Sequence, residues 1–516
     1  MCAITRATLV VHPMKKIALF LLAVTALMAA TPPKPKLVLA IVIDQFRYDY
    51  LTRFRAEYTA GFNRLLTRGA VFSDARYVHF PTVTAVGHST FLTGATPSIS
   101  GIVGNDWYDR EEQKHVTSVS DSGTKLLGDT GDGSSPHRLL VDTIGDELKM
   151  SDHNKSHVVG ISLKDRAAIL PAGHSADAAY WFDAKVGNFV SSTYYFADLP
   201  GWVKDFNSAH PADKFAGVKW LSHTMPQSGK PLYDAIDASP FGNELVEAFA
   251  ERALQAEQLG KHDATDVLTV SFSSNDYVGH AHGPYSDEEH EVTVRTDKVL
   301  ERLFQAVESS VGLDNVLVVL TGDHGVAPSA EEDKLNHMPG GRLPGDTVKN
   351  AVNAALVSKY GDGNWVKGSW DLSIYLDRDL IESKHLDAAE VRRTAAKAAF
   401  GVQHVFRVYT YDQMLAGAIS MDDVGRRVTN GFNERRSPDL TFLPEPYWMF
   451  GSSTTTHGTT FSYDNHVPVI FMGSGIRPGR YSESIIVNDI APTLASILDV
   501  EAPSGSVGRI LSEMFQ

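Results

Sequence analysis

Cysteine is nearly missing from this chain. Its 516 residues hold a single one, Cys2, ahead of an apolar leader, so the remainder has neither a disulfide nor a thiol nucleophile available. Positive charge is also short, with 47 Lys and Arg against 62 Asp and Glu and a formal net charge of −15. That balance excludes a general nucleic-acid binder, which needs a basic face to displace the counterions of phosphates, although it permits a local positive pocket. Internal repeats, heptad arrays and low-complexity tracts are absent, and no apolar run reaches the roughly 20 residues of a membrane-spanning helix. The longest candidate, IALFLLAVTALMAA (17–30), follows Lys15 and Lys16 and leads into TPPKPK, the layout of a secretory signal peptide. Residues 1–30 are therefore expected to be leader and signal peptide, removed to leave a cysteine-free periplasmic or secreted protein with no stable membrane span.

What is present is a soluble globular composition: 43% hydrophobic, 21% charged, with 41 Gly and 24 Pro. Five apolar runs, at 36–44, 157–163, 266–273, 315–323 and 466–473, lack clean alternation and suit strands covered on both faces. Helical patterns lie between them, notably 243–260 and 296–312, each ending at glycine. The expected fold class is α/β, a mainly parallel central sheet sandwiched by helices. The stretches at about 174–242 and 370–450 are expected to be cap-type insertions in a domain spanning 36–516.

Four of the five strands run directly into reactive side chains: Asp44; Lys164 and Arg166; Asp276 and His280; Asp323 and His324. Ligands of open α/β sheets bind beyond the carboxyl ends of the strands, so these residues should converge although they are distant in sequence. One Asp at a strand end is usually a turn residue or helix cap; four such endings together argue for a metal site. Asp276 and His280 are four apart, on one face if a helix begins there, and Asp323 and His324 adjoin a glycine-flanked turn. His457, in TTTHGTT (454–460), sits among small residues that give it no apolar reason to be there. Six ligands are too many for one tetrahedral ion and suit two, which suggests phosphoryl chemistry.

The nucleophile follows from HFPTVTAVGHSTFLTG (79–94), where a threonine-rich loop leads into a helix start. Thr84 lies where backbone N–H groups and the helix dipole favour an anion, and an adjacent metal could make its hydroxyl an alkoxide. An ordinary N-cap is the plain alternative. No GxSxG elbow competes. GDTGDGSS (128–135) lacks the twelfth-position acid of a calcium loop and reads as a solvated turn. Trp107 and the cluster Tyr194, Tyr195, Phe196 suit either stacking on an aromatic leaving group or packing of a cap.

VIDQFRYDY (42–50), the run from Pro81 to Asp109, SLKDRAAILPAGH (162–174), SNDYVGHAHGP (274–284), TGDHG (321–325), THGTTFSYDNHVPVIFMG (456–473) and the terminal NDIAPTLASILDVEAPSGSVGR (488–509) resemble, in order, the motifs of the alkaline phosphatase superfamily. The chain is most similar to the type I phosphodiesterase/nucleotide pyrophosphatase-like branch, and within it to threonine-dependent alkaline phosphatases that carry a lysine and an arginine. The resemblance implies two Zn2+ ions per chain, one on Asp276, His280 and His457, the other on Asp44, Thr84, Asp323 and His324. It further implies that Thr84 forms a phosphothreonine, and that Asn105, Lys164 and Arg166 contact the non-bridging phosphate oxygens. His88, His174, His282 and His466 match no ligand position.

The expected activity is hydrolysis of small phosphate monoesters, without nucleic-acid scaffold binding, in a chain compatible with a monomer. A phosphodiesterase or nucleotide pyrophosphatase with the same metal site is the alternative. A sulfatase would need Cys or Ser in a C/S-x-P-x-R context, which is absent, and a cofactor-independent phosphoglycerate mutase would use serine. A zinc- or phosphate-scavenging binding protein is disfavoured by a hydroxyl nucleophile beside the metals.

Overall fold

The computed structural model describes residues 34–515; the signal peptide expected at 1–30 lies outside them. Eleven strands form the central sheet: β1 (Leu37–Ile43), β2 (Ala70–Arg76), β3 (Ser120–Leu127), β4 (Asp132–Ser134), β5 (Val158–Ser162), β6 (Ala178–Asp183), β7 (Asn188–Ser192), β8 (Asp266–Phe272), β9 (Val316–Gly322), β10 (His466–Met472) and β11 (Gly479–Ile486). Their spatial order is β11-β2-β10-β9-β1-β8-β5-β6-β7-β3-β4. The five central strands, β9-β1-β8-β5-β6, are parallel, and β10 pairs antiparallel to β9. The sheet is thus large, mixed and mostly parallel at its centre.

β1 shows why its sequence does not alternate. Leu37, Leu39, Ile41 and Ile43 enter one hydrophobic core, while Val38, Ala40 and Val42 enter a second on the other face. Both faces being dry, every position of the strand is apolar. Five helices matter for the site: α1 (Thr84–Thr93), α2 (Asp165–Ala172), α3 (Pro240–Ala256), α4 (Ser274–His282) and α5 (Asp287–Ser310). Helix α3 brings Leu245, Val246 and Phe249 to the first core, α5 brings Val292, Leu300 and Leu303, and α1 sends Phe91 and Leu92 to the second.

The helices patterned at 243–260 and 296–312 begin earlier and stop short of their glycines. In α5 the Ser286 side chain accepts the Glu289 N–H, and three acids follow it in the first turn. A cap and dipole-compatible charge start this helix ahead of its apolar stripe. Gly260 (φ +77) lies beyond the end of α3, donating its N–H to the buried Asp266 carboxylate at 2.7 Å.

Of the 174–242 stretch, β6 and β7 belong to the central sheet; the rest holds helices Gly201–Ser208 and Gly229–Asp237 and the small hairpin Lys219–Trp220/His223–Thr224. The 370–450 stretch supplies strands 373–376, 405–410 and 440–444 of a separate four-stranded sheet, whose remaining strand, 366–368, precedes that boundary. This small sheet packs with helices Thr347–Tyr360 and Ala388–Phe400 around a core of its own. Among the described residues no helix is long and apolar enough to cross a membrane.

Candidate active site

Ile43 of β1 is level with Phe272 of β8 and Gly322 of β9, and Ser271 with Ser162 of β5. The chain therefore delivers Asp44, Asp276, Asp323 and Lys164 to one edge of the sheet. Asp44, Asp323 and His324 form one buried donor set, and Asp276, His324 and His457 another, with His324 shared. The His324 Nε2 is 3.4 Å from Asp44 Oδ1 and from Asp323 Oδ2. Asp276 Oδ1 is 3.2 Å from His280 Nε2 and 3.5 Å from His457 Nε2. All six ligand candidates named from the sequence thus converge.

The histidine tautomers are settled by what surrounds them. Nδ1 of His280 faces the Thr455 carbonyl at 2.9 Å, Nδ1 of His457 the Thr82 carbonyl at 2.8 Å, and Nδ1 of His324 the Gly325 carbonyl at 3.0 Å. A carbonyl only accepts, so each Nδ1 carries the proton and each Nε2 turns a bare lone pair inward. Nε2 of His280 and Nε2 of His457 are nevertheless 3.2 Å apart. Two lone pairs that close need a shared electrophile.

The carboxylates make the same demand. Asp44 Oδ1 and Asp323 Oδ2 are buried without a hydrogen-bond partner. Burial and the neighbouring Asp44 carboxylate push Asp323 well above the usual carboxylate range. Asp276 is buried too, yet the Lys164 ammonium and His280 hold it well below that range. Bare imidazole nitrogens and crowded, orphaned carboxylates fit borderline divalent cations.

Thr84 is the first residue of α1, after Val83 rather than itself the cap. It is buried, with Oγ1 3.5 Å from His324 Nε2. The helix sits against the strand end because of Gly87: a Cβ there would run into the Asp323 carbonyl. One turn along, His88 Nδ1 lies 2.9 Å from the Thr84 carbonyl and 3.2 Å from Asp323 Oδ2, its Nε2 2.8 Å from Ser271 Oγ. Burial lowers the His88 pKa to about 4, so the ring is neutral.

Of the expected phosphate contacts, Asn105 reaches the start of α1 and Lys164 reaches the carboxylates of both donor sets. Asn105 Oδ1 accepts the Ala85 N–H at 2.8 Å, which satisfies a free donor of the α1 terminus and leaves the Asn105 amide group to donate. Lys164 Nζ bridges Asp44 Oδ2 at 2.7 Å and Asp276 Oδ2 at 2.6 Å, and despite burial the two carboxylates raise its pKa. Lys164 is extended (φ −98, ψ 135), but Asp165 already opens α2, so Arg166 is helical and does not continue the segment. Its Nε is buried without a partner. Asp165 is structural, accepting from Ser134 Oγ at 3.1 Å.

Two residues at the site carried no sequence signal. Gln45, in the left-handed region (φ +59), donates its N–H to Asp323 Oδ1 at 3.0 Å and its amide to Asp276 Oδ1 at 2.7 Å, tying the two donor sets together. Asp371, from the small-sheet region, accepts the Asn105 N–H at 3.0 Å. Trp107 is fully buried in a core with Ile102 and Leu139, which excludes it as a leaving-group platform, whereas Tyr194 is exposed. His466 bonds the Ser73 carbonyl at 3.0 Å, and the His174 N–H donates to Asp146 at 3.2 Å, so both are structural.

A sheet edge that gathers a threonine, paired Asp/His sets and cations belongs to a known class. Residues 38–466 match the type I phosphodiesterase / nucleotide pyrophosphatase family, and the chain belongs to it. Its relatives sharpen the class. The chain is 37% identical to alkaline phosphatase PafA of Elizabethkingia meningoseptica, over 93% of this chain and 95% of that one. It is 34% identical to alkaline phosphatase PhoV of Synechococcus elongatus, over 94% of each. The crystal structure of wild-type PafA superimposes with a TM-score of 0.87, covering 94% of this chain and 99% of that one.

Proposed function

We propose that this enzyme is an alkaline phosphatase, a phosphoric monoester hydrolase working through a phosphothreonine on Thr84. The observation that carries the reading is the Thr84 hydroxyl at the helix start, 3.5 Å from the imidazole shared by two donor sets that fit divalent cations. Asp276, His280 and His457 would hold one zinc; Asp44, Thr84, Asp323 and His324 the other. When bound, the two ions supply Lewis acidity that lowers the pKa of a hydroxyl and offsets charge on phosphoryl oxygens.

Thr84 Oγ attacks phosphorus in line; the Oγ–P bond forms as the ester P–O bond breaks, and the alcohol leaves with the proton. Water then attacks the phosphothreonine from the vacated side, releasing phosphate and returning the hydroxyl. The Asn105 amide group, oriented by Ala85 N–H, donates to a non-bridging oxygen. Lys164 and Arg166 bind the other oxygens, the lysine as a point charge and the arginine through its planar fork, with Nε still unpartnered. Lys164 reaches the substrate by leaving the carboxylates it now bridges, once cations supply their counter-charge. Gln45 and Asp371 keep Asp276, Asp323 and Asn105 in register.

In this reading residues 36–516 are one catalytic domain, the 370–450 stretch and the part of 174–242 that follows β7 cap the site, and the leader directs it to the periplasm or outside the cell. Acid quenching during turnover of a monoester tests the intermediate. The peptide bearing Thr84 should gain the mass of one phosphoryl group; quenched enzyme that turns over yet never carries it contradicts the mechanism.

A further inference from the structure

His280 is not the last imidazole on α4. His282 follows two residues later, and positions i and i+2 of a helix point about 200° apart, so it leaves by the opposite face. There it meets Glu288 of the first turn of α5 and His223 of the hairpin Lys219–Trp220/His223–Thr224. Nε2 of His223 is 2.8 Å from Glu288 Oε1, Nδ1 of His282 is 3.8 Å from Glu288 Oε2, and the two rings meet edge to face at 5.4 Å. One ligand atom from each residue lies within 4.8 Å of the others. Trp220, the cross-strand partner of His223, stacks on its ring at 4.8 Å and holds its orientation.

We infer that His223, His282 and Glu288 form a third divalent-cation site of the zinc class, separate from the catalytic centre. Hydrogen bonding accounts for only half of the arrangement. The carboxylate satisfies His223, but 3.8 Å is too long for a hydrogen bond to His282, whose ring nitrogens have no other such partner among the described residues. Three elements bring two imidazoles and a carboxylate to one point, and that donor set binds zinc and similar ions in open sites. Nitrogen donors disfavour calcium and magnesium. Zinc bonds of about 2.0–2.2 Å set tetrahedral donors about 3.4 Å apart, so His223 and Glu288 at 2.8 Å would part slightly and His282 at 3.8 Å would draw in, within reach of small side-chain rotations. The three side chains keep 36%, 31% and 19% of their exposure, so water can complete the coordination. A bound ion would cross-link the hairpin and the start of α5 to the end of α4, two residues past His280.

The test compares zinc content after equilibration with zinc and removal of the excess. The double variant His223→Ala, Glu288→Gln should carry one zinc fewer per chain than the unaltered enzyme, with unchanged monoesterase activity. Equal zinc content in the two proteins overturns the proposal. A second measurement needs no variant: crystals of the unaltered enzyme soaked in zinc should show an anomalous peak between the three side chains. Peaks at the Asp/His centre and none here overturn this site alone, whereas a peak here and none at the centre supports it and contradicts the two-zinc reading.

Discussion

His280 and His457 face each other through their Nε2 atoms at 3.2 Å, each locked by a backbone carbonyl on its Nδ1. Neither can donate to the other, so the pair is stable only around a cation or with a proton gained on one ring. Chelation should therefore abolish phosphatase activity and lower the melting temperature together, and zinc should restore both. Full activity in a protein shown by metal analysis to be free of metal would contradict this.

Thr84→Val keeps the β-branched shape at the start of α1 and removes only the hydroxyl. We expect the monoester kcat to fall on the order of 10⁴-fold or more with zinc content largely retained. Near-unchanged kcat would remove Thr84 from the nucleophile's role.

Gly87 sets the distance between α1 and the end of β9. A methyl group at that position meets the Asp323 carbonyl, so Gly87→Ala must push Thr84 away from His324. The expected cost is about 1–3 kcal/mol in urea unfolding, with a larger fractional loss of kcat than of KM. An alanine variant equal to wild type in both would show that the close approach does not position the nucleophile.

His79 is wholly buried, and burial, reinforced by Arg427, lowers its pKa from 6.5 to about 3. The unfolded chain takes up a proton near pH 6.5 while the folded chain refuses it until about pH 3. The stability it contributes is thus present above pH 6.5 and is lost as the pH falls. For this one group the loss between pH 7 and pH 5 is about 2 kcal/mol. Urea unfolding of His79→Phe should lose that much less than wild type over the same interval; identical losses would mean that His79 does not titrate this way.

Much of this site was legible because double-sided burial keeps charged side chains out of the interiors of the parallel strands until they end. The first acids after β1, β8 and β9, namely Asp44, Asp276 and Asp323, were therefore conspicuous, and each belongs to a donor set. Gln45 was invisible because its role depends on a left-handed backbone that turns its N–H and amide toward two different aspartates. Asp371 approaches Asn105 from a separate sheet, which local pattern cannot register. Lys164 is the last extended residue after β5 and Arg166 lies in the first turn of α2, so no single local pattern covers both. His282 lay inside a recognised motif yet on the other face of its helix.

In the proposed mechanism Lys164 and Arg166 are the side chains that favour a monoester over a diester. A monoester presents a dianionic group with three non-bridging oxygens, a diester two oxygens and one charge. Lys164→Ala and Arg166→Ala should each slow monoester hydrolysis by about 100-fold and diester hydrolysis much less. Equal slowing of both would assign the two residues a structural role.

The most direct test is kcat/KM of the zinc-loaded wild-type enzyme on a phosphate monoester and on a diester with the same leaving group, side by side at alkaline pH. A monoester preference of at least about 100-fold is predicted, from the extra charge and oxygen that Lys164 and Arg166 recognise. Comparable rates, or a faster diester, would contradict the phosphatase account and assign the same threonine and metal ligands to a phosphodiesterase.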